Sequence, residues 1–391
     1  MTVGRSEPSQ LGELRLSFDA TAVPSRPVGA GRYTIDLARA LGAAAGVDLS
    51  VWCRSGDGRR VSSAIGGSPH LMARAPRSRV ARLLWEQLRM PGLIDRLGAD
   101  VHHSPHYTMP ERSRTPVVVT IHDLTVIEHP EWHERSKVLV FERAIRVAAR
   151  KAAVLVCVSR FTAERLVEHT KPRGHVVVVT HGVDEGLFHP PGPDESVSDD
   201  VALHKAGVRR PYVLFVGTLE PRKAVPNLVA AFDHVAHSRD DLSLVLAGGR
   251  GWGADAVDQA VTAAEHRDRV IRTGYVADEL VAVLMRRADV IAYPAFEEGF
   301  GLPALEALAS GVPLVTTKGS AMAEVAGDAA SLVDPGDVEA LAGAIEEAIS
   351  GGPAVSGRVA AGALVAGSHT WAASARGHME AYRLALETGD R

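Results

Sequence analysis

Two glutamates eight positions apart, Glu298 and Glu306, are the residues best suited to bind a ligand. They follow the apolar run Val290–Tyr293. A carboxylate has two acceptor oxygens and can hold two neighbouring hydroxyls, such as a ribose diol. Taken singly, each acid is explained as well by the ordinary preference for acids near helix N-termini. Together, within one glycine-containing segment, they predict a hydroxyl-binding site.

Between these acids lie glycines and a signal for the start of a helix. Gly299, Phe300, Gly301 and Leu302 are followed by Pro303. Glycine allows a ligand to approach the backbone closely, and proline suits the first turn of a helix. We therefore expect a helix to begin near Gly301, with its free N–H groups directed at the ligand.

A basic pair, Arg222-Lys223, follows a second apolar run, Tyr212–Val216, after Gly217. Adjacent cations at the end of a strand can neutralise a diphosphate as it leaves a sugar. Exposed basic pairs are common on any protein surface. However, the sequence has no Walker-type loop that would bind phosphate elsewhere, so the pair is the predicted diphosphate site.

The first half of the chain contributes a glycine-rich turn and a histidine. Gly29 and Gly31 make a poor dinucleotide fingerprint, because Thr34 stands at the third glycine position. An ordinary strand-to-helix turn is the alternative. His122 follows the run Val117–Ile121. Capping of the strand end is the alternative to ligand binding there.

Neither the clustered histidines nor the cysteines predict a metal. His102, His103 and His106 have no cysteine or carboxylate in register with them. Cys53 and Cys157 lie in apolar runs and are expected to be buried, reduced thiols. We therefore predict no metal site and no cofactor.

The candidate residues stand at the ends of β-branched runs that alternate with helix-period segments. Apolar strands separated by helices predict parallel sheets covered on both faces, with ligands at the carboxyl ends of the strands. The expected fold class is α/β, with two Rossmann-like doubly wound parallel-sheet domains facing across a cleft. The proline-, serine- and acid-rich segment 191–204 is the expected linker between a first domain, 1–190, and a second, 205–370.

Together the glutamate segment and the basic pair resemble the retaining glycosyltransferases of the GT-B fold, family 4, over most of the chain. The resemblance implies that Glu306 binds the donor ribose and that Glu298 contacts sugar hydroxyls. It also implies that Arg222 and Lys223 bind the diphosphate and stabilise the leaving group. The family usually has asparagine after the basic pair, whereas this chain has Ala224. We expect a local turn hydrogen bond to be lost there, but not the phosphate contacts.

The same resemblance implies further roles. His122 would orient the transferred sugar, and the last helix, within 371–391, would cross back onto the first domain. The donor base would be bound near Tyr275 and Val276. The complete set of implied donor contacts besides Glu306 is Gly29, Gly31, Gly217, Tyr275, Val276, Gly299, Phe300, Gly301 and Leu302.

The implied activity is a retaining, metal-independent hexose transfer, with GDP-mannose as the first-choice donor and UDP- or ADP-glucose as alternatives. The acceptor would be a glycan or a lipid-linked molecule of cell-envelope polysaccharide or glycolipid synthesis. Front-face transfer and a covalent intermediate both stay open. A nucleotide-sugar epimerase, a hydrolase or phosphorylase, and a non-catalytic sugar-nucleotide-binding subunit also stay open.

The distribution of charged residues along the chain indicates which kinds of partner the protein can bind. Residues 1–190 carry 26 basic against 19 acidic residues, and the remainder carries 17 against 28. Much of the basic excess lies in the amphipathic stretch Arg74–Leu97, which we expect either to pack on its own sheet or also to contact anionic lipid. The acidic second half argues against nucleic acid. Without an apparent signal core or apolar span, we expect a cytoplasmic protein, with the inner face of the plasma membrane as its lipid contact.

Overall fold

The computed structural model describes residues 13–67 and 69–389, and their strands form two parallel sheets, of seven and six strands. The predicted α/β fold with two doubly wound sheets is confirmed. β5 and β6 are buried along their whole length, as parallel strands covered on both faces must be. The strands are β1 (Leu14–Asp19), β2 (Val47–Arg54), β3 (His70–Ala75), β4 (Val101–Ser104), β5 (Val117–Ile121), β6 (Val154–Cys157), β7 (His175–Val178), β8 (Tyr212–Val216), β9 (Ser243–Ala247), β10 (Val270–Gly274), β11 (Val290–Tyr293), β12 (Leu314–Thr317) and β13 (Ser331–Val333).

Helices connect most successive strands in both sheets, whereas β4 and β5 are joined by a loop. They are α1 (Ala30–Gly42), α2 (Gly58–Ile65), α3 (Arg79–Leu88), α4 (Met90–Leu97), α5 (Thr125–Glu128), α6 (Arg135–Lys151), α7 (Arg160–Thr170), α8 (Glu195–Lys205), α9 (Val225–Ala236), α10 (Asp255–Ala263), α11 (Asp278–Arg287), α12 (Leu302–Ala309), α13 (Ala321–Ala326), α14 (Val338–Ser350), α15 (Pro353–Ser368) and α16 (Trp371–Gly389). Among the described residues, no helix is long and apolar enough to cross a membrane.

Each sheet has a point where the strand order reverses. The first sheet runs β3-β2-β1-β4-β5-β6-β7, and the second runs β10-β9-β8-β11-β12-β13. The reversals fall between β1 and β4 and between β8 and β11. Crevices at such points bind ligands in open α/β sheets. The basic pair follows β8, and Glu298 and Glu306 follow β11, on the loop and in α12 respectively, so both groups belong to this crevice.

The amphipathic stretch Arg74–Leu97 contains two helices in the structure and not one continuous helix. Two helices, α3 and α4, meet at Arg89, and Pro91 lies in the first turn of α4, where its missing N–H and its restriction on the preceding residue favour a helix start. α3 also buries Arg82 and Glu86, so these two charged residues face inward.

β4 and α8 lie where the sequence analysis predicts no strand or helix. The polar composition of β4 does not predict a buried strand. In the structure, however, its His102 and His103 are buried and make hydrogen bonds. Within the expected linker 191–204, α8 is anchored by Asp199, which forms two hydrogen bonds with Arg286 at 2.6 and 2.8 Å. The proposed domain limits stay a prediction.

The last helix, α16, packs against α1, β4, β5 and β6 of the first sheet. Its Tyr382 hydroxyl lies 2.8 Å from Nδ1 of His103. Its His378 Nε2 lies 2.8 Å from the hydroxyl of Tyr33. The C-terminal segment therefore completes the interior of the first half of the molecule.

Candidate active site

The loop that joins β11 to α12, here called the Glu298 loop, lies against the first domain. A Cβ atom on Gly299 would lie 1.6 Å from the carbonyl oxygen of His122, so only glycine fits. The Gly299 carbonyl accepts hydrogen bonds from Ser159 at 2.7 Å and Thr162 at 3.1 Å. The Glu298 loop is thus fixed by backbone contacts across the cleft.

The rest of this loop starts α12. Gly301 has a φ of +84°, a conformation that favours glycine, and the helix begins at Leu302, close to the predicted position. Phe300 is buried and stacks on His181, with 4.4 Å between ring centroids. The predicted glycines and Phe300 therefore shape the loop, whereas their role in donor binding stays a prediction.

Glu298 and the basic pair come together, although they lie on different loops. Nη1 of Arg222 is 2.7 Å from Oε1 of Glu298, and the ammonium of Lys223 contacts the same oxygen. The Tyr293 hydroxyl donates to it at 3.2 Å. Burial and the neighbouring guanidinium lower the pKa of Lys223. A diphosphate would favour the charged form of Lys223 and could replace Glu298 as its partner.

Arg222 also faces the first domain. Although burial alone raises the pKa of a carboxyl, Arg222 and a hydrogen bond from Thr125 hold the pKa of Asp123 below its usual value. The Arg222 backbone carbonyl accepts a hydrogen bond from Phe296 N–H at 2.8 Å. Sequence reasoning missed Asp123, whose position directly after His122 at a strand end was the available signal.

His122 lies at the end of β5 with its ring fixed. Its Nε2 donates to the Pro105 carbonyl, at 2.9 Å, and the Tyr33 ring packs edge-on at 4.9 Å between centroids. Burial lowers the pKa of His122, so the imidazole is neutral. That state leaves Nδ1 as an acceptor and suits the expected sugar-orienting role, which stays a prediction.

Glu306 lies in the second turn of α12 and is 1% exposed. Its Oε1 is 2.7 Å from Nη1 of Arg32, a residue of α1 that follows Gly31. Gly29, with a φ of +47°, precedes α1. The structure therefore brings Glu306 and the glycine-rich turn together through Arg32, which sequence reasoning did not single out.

Gly217, Tyr275 and Val276 are more peripheral. Gly217, just after β8, would place a Cβ atom 3.4 Å from the Tyr293 hydroxyl. Tyr275 is exposed, with the guanidinium of Arg26 5.1 Å from its ring centroid. Val276 is half-buried. The structure places the tyrosine on the rim of the cleft, where an aromatic ring can stack on a base.

A second group of polar residues, here called the Asp19 cluster, lies at the reversal point of the first sheet. Nε2 of His106 is 3.3 Å from Oδ2 of Asp19, and Thr108 links His106 to Glu86 at 3.0 and 2.8 Å. Asp19, Glu86 and His106 lie close enough to share a cation. Arg82, 2.8 Å from Glu86, already supplies a positive charge, and a guanidinium would repel a metal ion.

A cavity of about 860 Å³ lies elsewhere, between α1, residues 183–186 and α16. It is lined by both basic and acidic side chains, among them Arg39, Asp184 and Arg376. None of the predicted site residues lines it. The candidate site is therefore defined by converging side chains and not by this cavity.

Comparison with known families gives two adjacent matches. Residues 27–187 match the family described as Glycosyltransferase Family 4, and residues 199–356 match the one described as Glycosyl transferases group 1. O-antigen chain mannosyltransferase B of Escherichia coli is 31% identical over 251 residues, 64% of this chain and 65% of the relative. A D-inositol 3-phosphate glycosyltransferase of Mycobacterium sp. (strain JLS) is 32% identical over 260 residues, 64% of this chain and 57% of the relative. The match therefore spans less than two thirds of either relative.

Solved structures share the fold. Sucrose-phosphate synthase from Thermosynechococcus elongatus has a TM-score of 0.78 at 22% identity, covering 95% of this chain and 98% of that one. Anabaena HepE in complex with UDP-glucose has a TM-score of 0.74 at 18% identity, covering 94% and 99%. WaaG, a glycosyltransferase involved in lipopolysaccharide biosynthesis, has a TM-score of 0.69 at 18% identity, covering 96% and 98%. At these identities the similarity concerns the architecture of two facing domains.

Proposed function

Because the chain belongs to the glycosyltransferases that join a family 4 domain to a group 1 domain, we propose that it transfers a hexose from a nucleoside diphosphate sugar to an acceptor in the cleft. The supporting observation is the convergence of Arg222 and Lys223 from one loop with Glu298 from another. Two cations facing one carboxylate suit a diphosphate beside a polyhydroxylated sugar.

The proposed reaction retains the anomeric configuration and needs no metal. Arg222 and Lys223 stabilise the charge that develops on the leaving diphosphate, which is the work a divalent cation does in other transferases. Glu298 and the neutral His122 hold the sugar, and Glu306 holds the ribose. The leaving phosphate is then close enough to the acceptor hydroxyl to take its proton.

For the donor we propose GDP-mannose, on the similarity to the O-antigen mannosyltransferase of E. coli. For the acceptor we propose a glycan or lipid-linked glycan bound by the first domain, beside the Asp19 cluster. Asp19 is the last residue of β1 and His106 follows β4, at the reversal point of that sheet. Carboxylate and imidazole groups both bind hydroxyls.

The test begins with thermal unfolding in the presence of GDP, UDP, ADP and dTDP, because a bound ligand raises the melting temperature by mass action. We expect the largest increase with GDP. Transfer from GDP-mannose to candidate glycans and lipid-linked glycans is then followed by mass spectrometry, and the new anomeric centre by NMR.

Transfer with retained configuration, unchanged by a chelator, is the expected result. An inverted product, or activity that the chelator abolishes, would contradict the proposed mechanism. A product that keeps its nucleotide would indicate an epimerase, free sugar a hydrolase, and binding without turnover a non-catalytic subunit. If UDP- or ADP-glucose is the productive donor, the assignment of GDP-mannose is wrong, but the proposed transfer reaction stands.

A further inference from the structure

Arg32, in the first turn of α1, reaches across the cleft to the second domain. Its Nη1 lies 2.7 Å from Oε1 of Glu306, and its Nε lies 3.6 Å from Oδ2 of Asp278. The guanidinium also lies 5.5 Å from the ring centroid of Phe188. The Arg32 side chain is only 17% exposed and that of Glu306 2%, so solvent screens this pair much less than a surface pair.

The ion pair uses half of the carboxylate. Oε2 of Glu306 is buried and has no hydrogen-bond partner among residues 13–67 and 69–389. A buried acceptor without a partner is unfavourable, and buried polar groups in native proteins nearly always have one. One oxygen of Glu306 is thus fixed by Arg32, while the other is available to a hydroxyl group of a ligand.

The surroundings of Glu306 explain why it needs a cation. Burial raises the pKa of its carboxyl, and Asp278 from α11 and Asp36 from α1 raise it further. Arg32 opposes these effects and favours the ionised form. Tyr293 of β11 also faces Glu306, and its phenol is neutral because burial raises its pKa.

We propose that Arg32 is a positioning residue for the donor nucleotide: by binding Oε1 of Glu306 across the cleft, it directs Oε2 towards a ribose hydroxyl. This inference rests on the proposed function, since it takes Glu306 as the ribose ligand. Arg32 belongs to the first sheet's half of the molecule and Glu306 to the second. The ribose site is therefore complete only when the cleft is closed, which couples donor binding to closure.

The test compares Arg32→Ala and Arg32→Lys in titrations with the nucleoside diphosphate that stabilises the wild-type protein. Loss of a hydrogen bond to a charged group predicts about 10- to 100-fold weaker binding for Arg32→Ala. Arg32→Lys should be intermediate, because lysine keeps the charge without the planar fork. The KM for the donor should rise in parallel, with a much smaller change in kcat.

Arg143→Ala is the matched control, since Arg143 also belongs to the first domain and pairs with a glutamate, Glu111, at 2.6 Å. It should bind the nucleotide as the wild type does. In a Glu306→Gln background, Arg32→Ala should have little further effect, because the two residues act together. Without Arg32 the pKa of Glu306 rises further, so nucleotide binding by Arg32→Ala should recover as the pH is raised.

Equal or tighter nucleotide binding by Arg32→Ala overturns the inference, and so do additive effects of the Arg32 and Glu306 substitutions. Both results leave the proposed function intact. A wild-type protein that binds no nucleoside diphosphate removes the proposed function and this inference together. If thermal unfolding shows that Arg32→Ala is misfolded, Arg32→Lys decides, because wild-type affinity in that variant also overturns the inference.

Discussion

At the scale of single residues, Glu298 contacts both cations of the basic pair. The contact can therefore be tested by substituting the glutamate or one of the cations. We expect Glu298→Gln and Lys223→Ala each to reduce turnover about 10- to 1000-fold, the range for loss of one electrostatic contact in a transition state. Steady-state kinetics at saturating donor measures the effect. Near-normal turnover in either variant would contradict the assignment.

The neighbouring glutamate is the control for this prediction. Glu297 precedes Glu298 but directs its carboxylate towards His129, with 3.6 Å between Oε2 and Nε2. Glu297→Gln makes the same side-chain change on the same loop without altering a side chain that contacts the basic pair, although burial raises the pKa of Glu297 to about 7. Its turnover should therefore fall far less than that of Glu298→Gln.

Ala224 is a second residue with a testable consequence. It adopts a φ of +50°, a left-handed conformation that costs residues other than glycine and asparagine about 1–2 kcal/mol. We expect Ala224→Gly to raise the free energy of unfolding by about 0.5–1 kcal/mol, after the entropy that glycine gains in the unfolded chain. Denaturant unfolding measures the change.

Lys171 gives the comparison, because it has a φ of +51° at the end of α7, far from the basic pair. Lys171→Gly should be stabilised to a similar degree. If Ala224→Gly is destabilised while Lys171→Gly is not, the left-handed conformation at Ala224 carries no strain. The family's asparagine at this position would then need another explanation.

At the scale of elements, the N-terminus of α7 is capped from the other domain. Glu324 of α13 accepts hydrogen bonds from the backbone N–H groups of Arg160 and Phe161, each at 2.9 Å. Ser159 caps the same helix, as expected for a serine at this position. The closed cleft thus adds a helix cap that an open one lacks.

We expect Glu324→Ala to lower the free energy of unfolding by about 1 kcal/mol and to raise the donor KM severalfold by loosening the closed form. Asp337→Ala is the matched control, since Asp337 caps α14 within its own domain, 2.9 Å from Ala340 N–H. It should lose similar stability with an unchanged KM. Small-angle scattering should show expansion in the Glu324 variant alone; equal profiles would contradict a role in closure.

α3 presents an apolar face to solvent, while its Arg82 and Glu86 are buried. Val80, Leu84 and Leu88, spaced four residues apart, are 68%, 57% and 69% exposed. Arg79 of the same helix contacts Phe141 of α6, where Leu139 is also exposed. Exposed leucines beside arginines are typical of surfaces that lie on anionic lipid.

We expect the wild-type protein to float with anionic vesicles at low salt and to be released at high salt. Replacing Leu84 and Leu88 together by aspartate should abolish flotation, because buried apolar area is lost and negative charge is added. Leu364→Asp is the control, since Leu364 on α15 is 79% exposed but belongs to the second domain. Absence of wild-type flotation at low salt would overturn the membrane hypothesis.

At the scale of the whole molecule, the sequence predicts the α/β class and the two sheets well, because parallel strands that are buried on both faces have unmistakable apolar runs. β4 escapes prediction because buried hydrogen bonds stabilise its histidines. The inward Arg82 and Glu86 escape prediction for a similar reason: their partners Thr21 and Thr108 lie on other segments. Analysis of sequence patterns detects apolar periodicity but not hydrogen-bond partners that are distant in sequence.

The candidate site was likewise predictable only in part. Residue type and spacing indicate Glu298, Glu306 and the basic pair, because the two glutamates lie in one short segment and the two cations are adjacent. Arg32 and Glu324 could not be found in this way, since their partners lie more than one hundred and sixty positions away, on the other side of the cleft. Sequence reasoning identifies the residues proposed to bind the ligand, and the structure adds the residues that position them.

The return of α16 to the first sheet has a consequence for how the protein is made. A polypeptide leaves the ribosome N-terminus first, and most domains fold in that order. Here the hydrogen-bond partners of Tyr33 and His103 are His378 and Tyr382. Both partners are translated after the entire second sheet. The nascent first half must therefore persist unfinished, with part of its interior uncovered, until the final helix emerges.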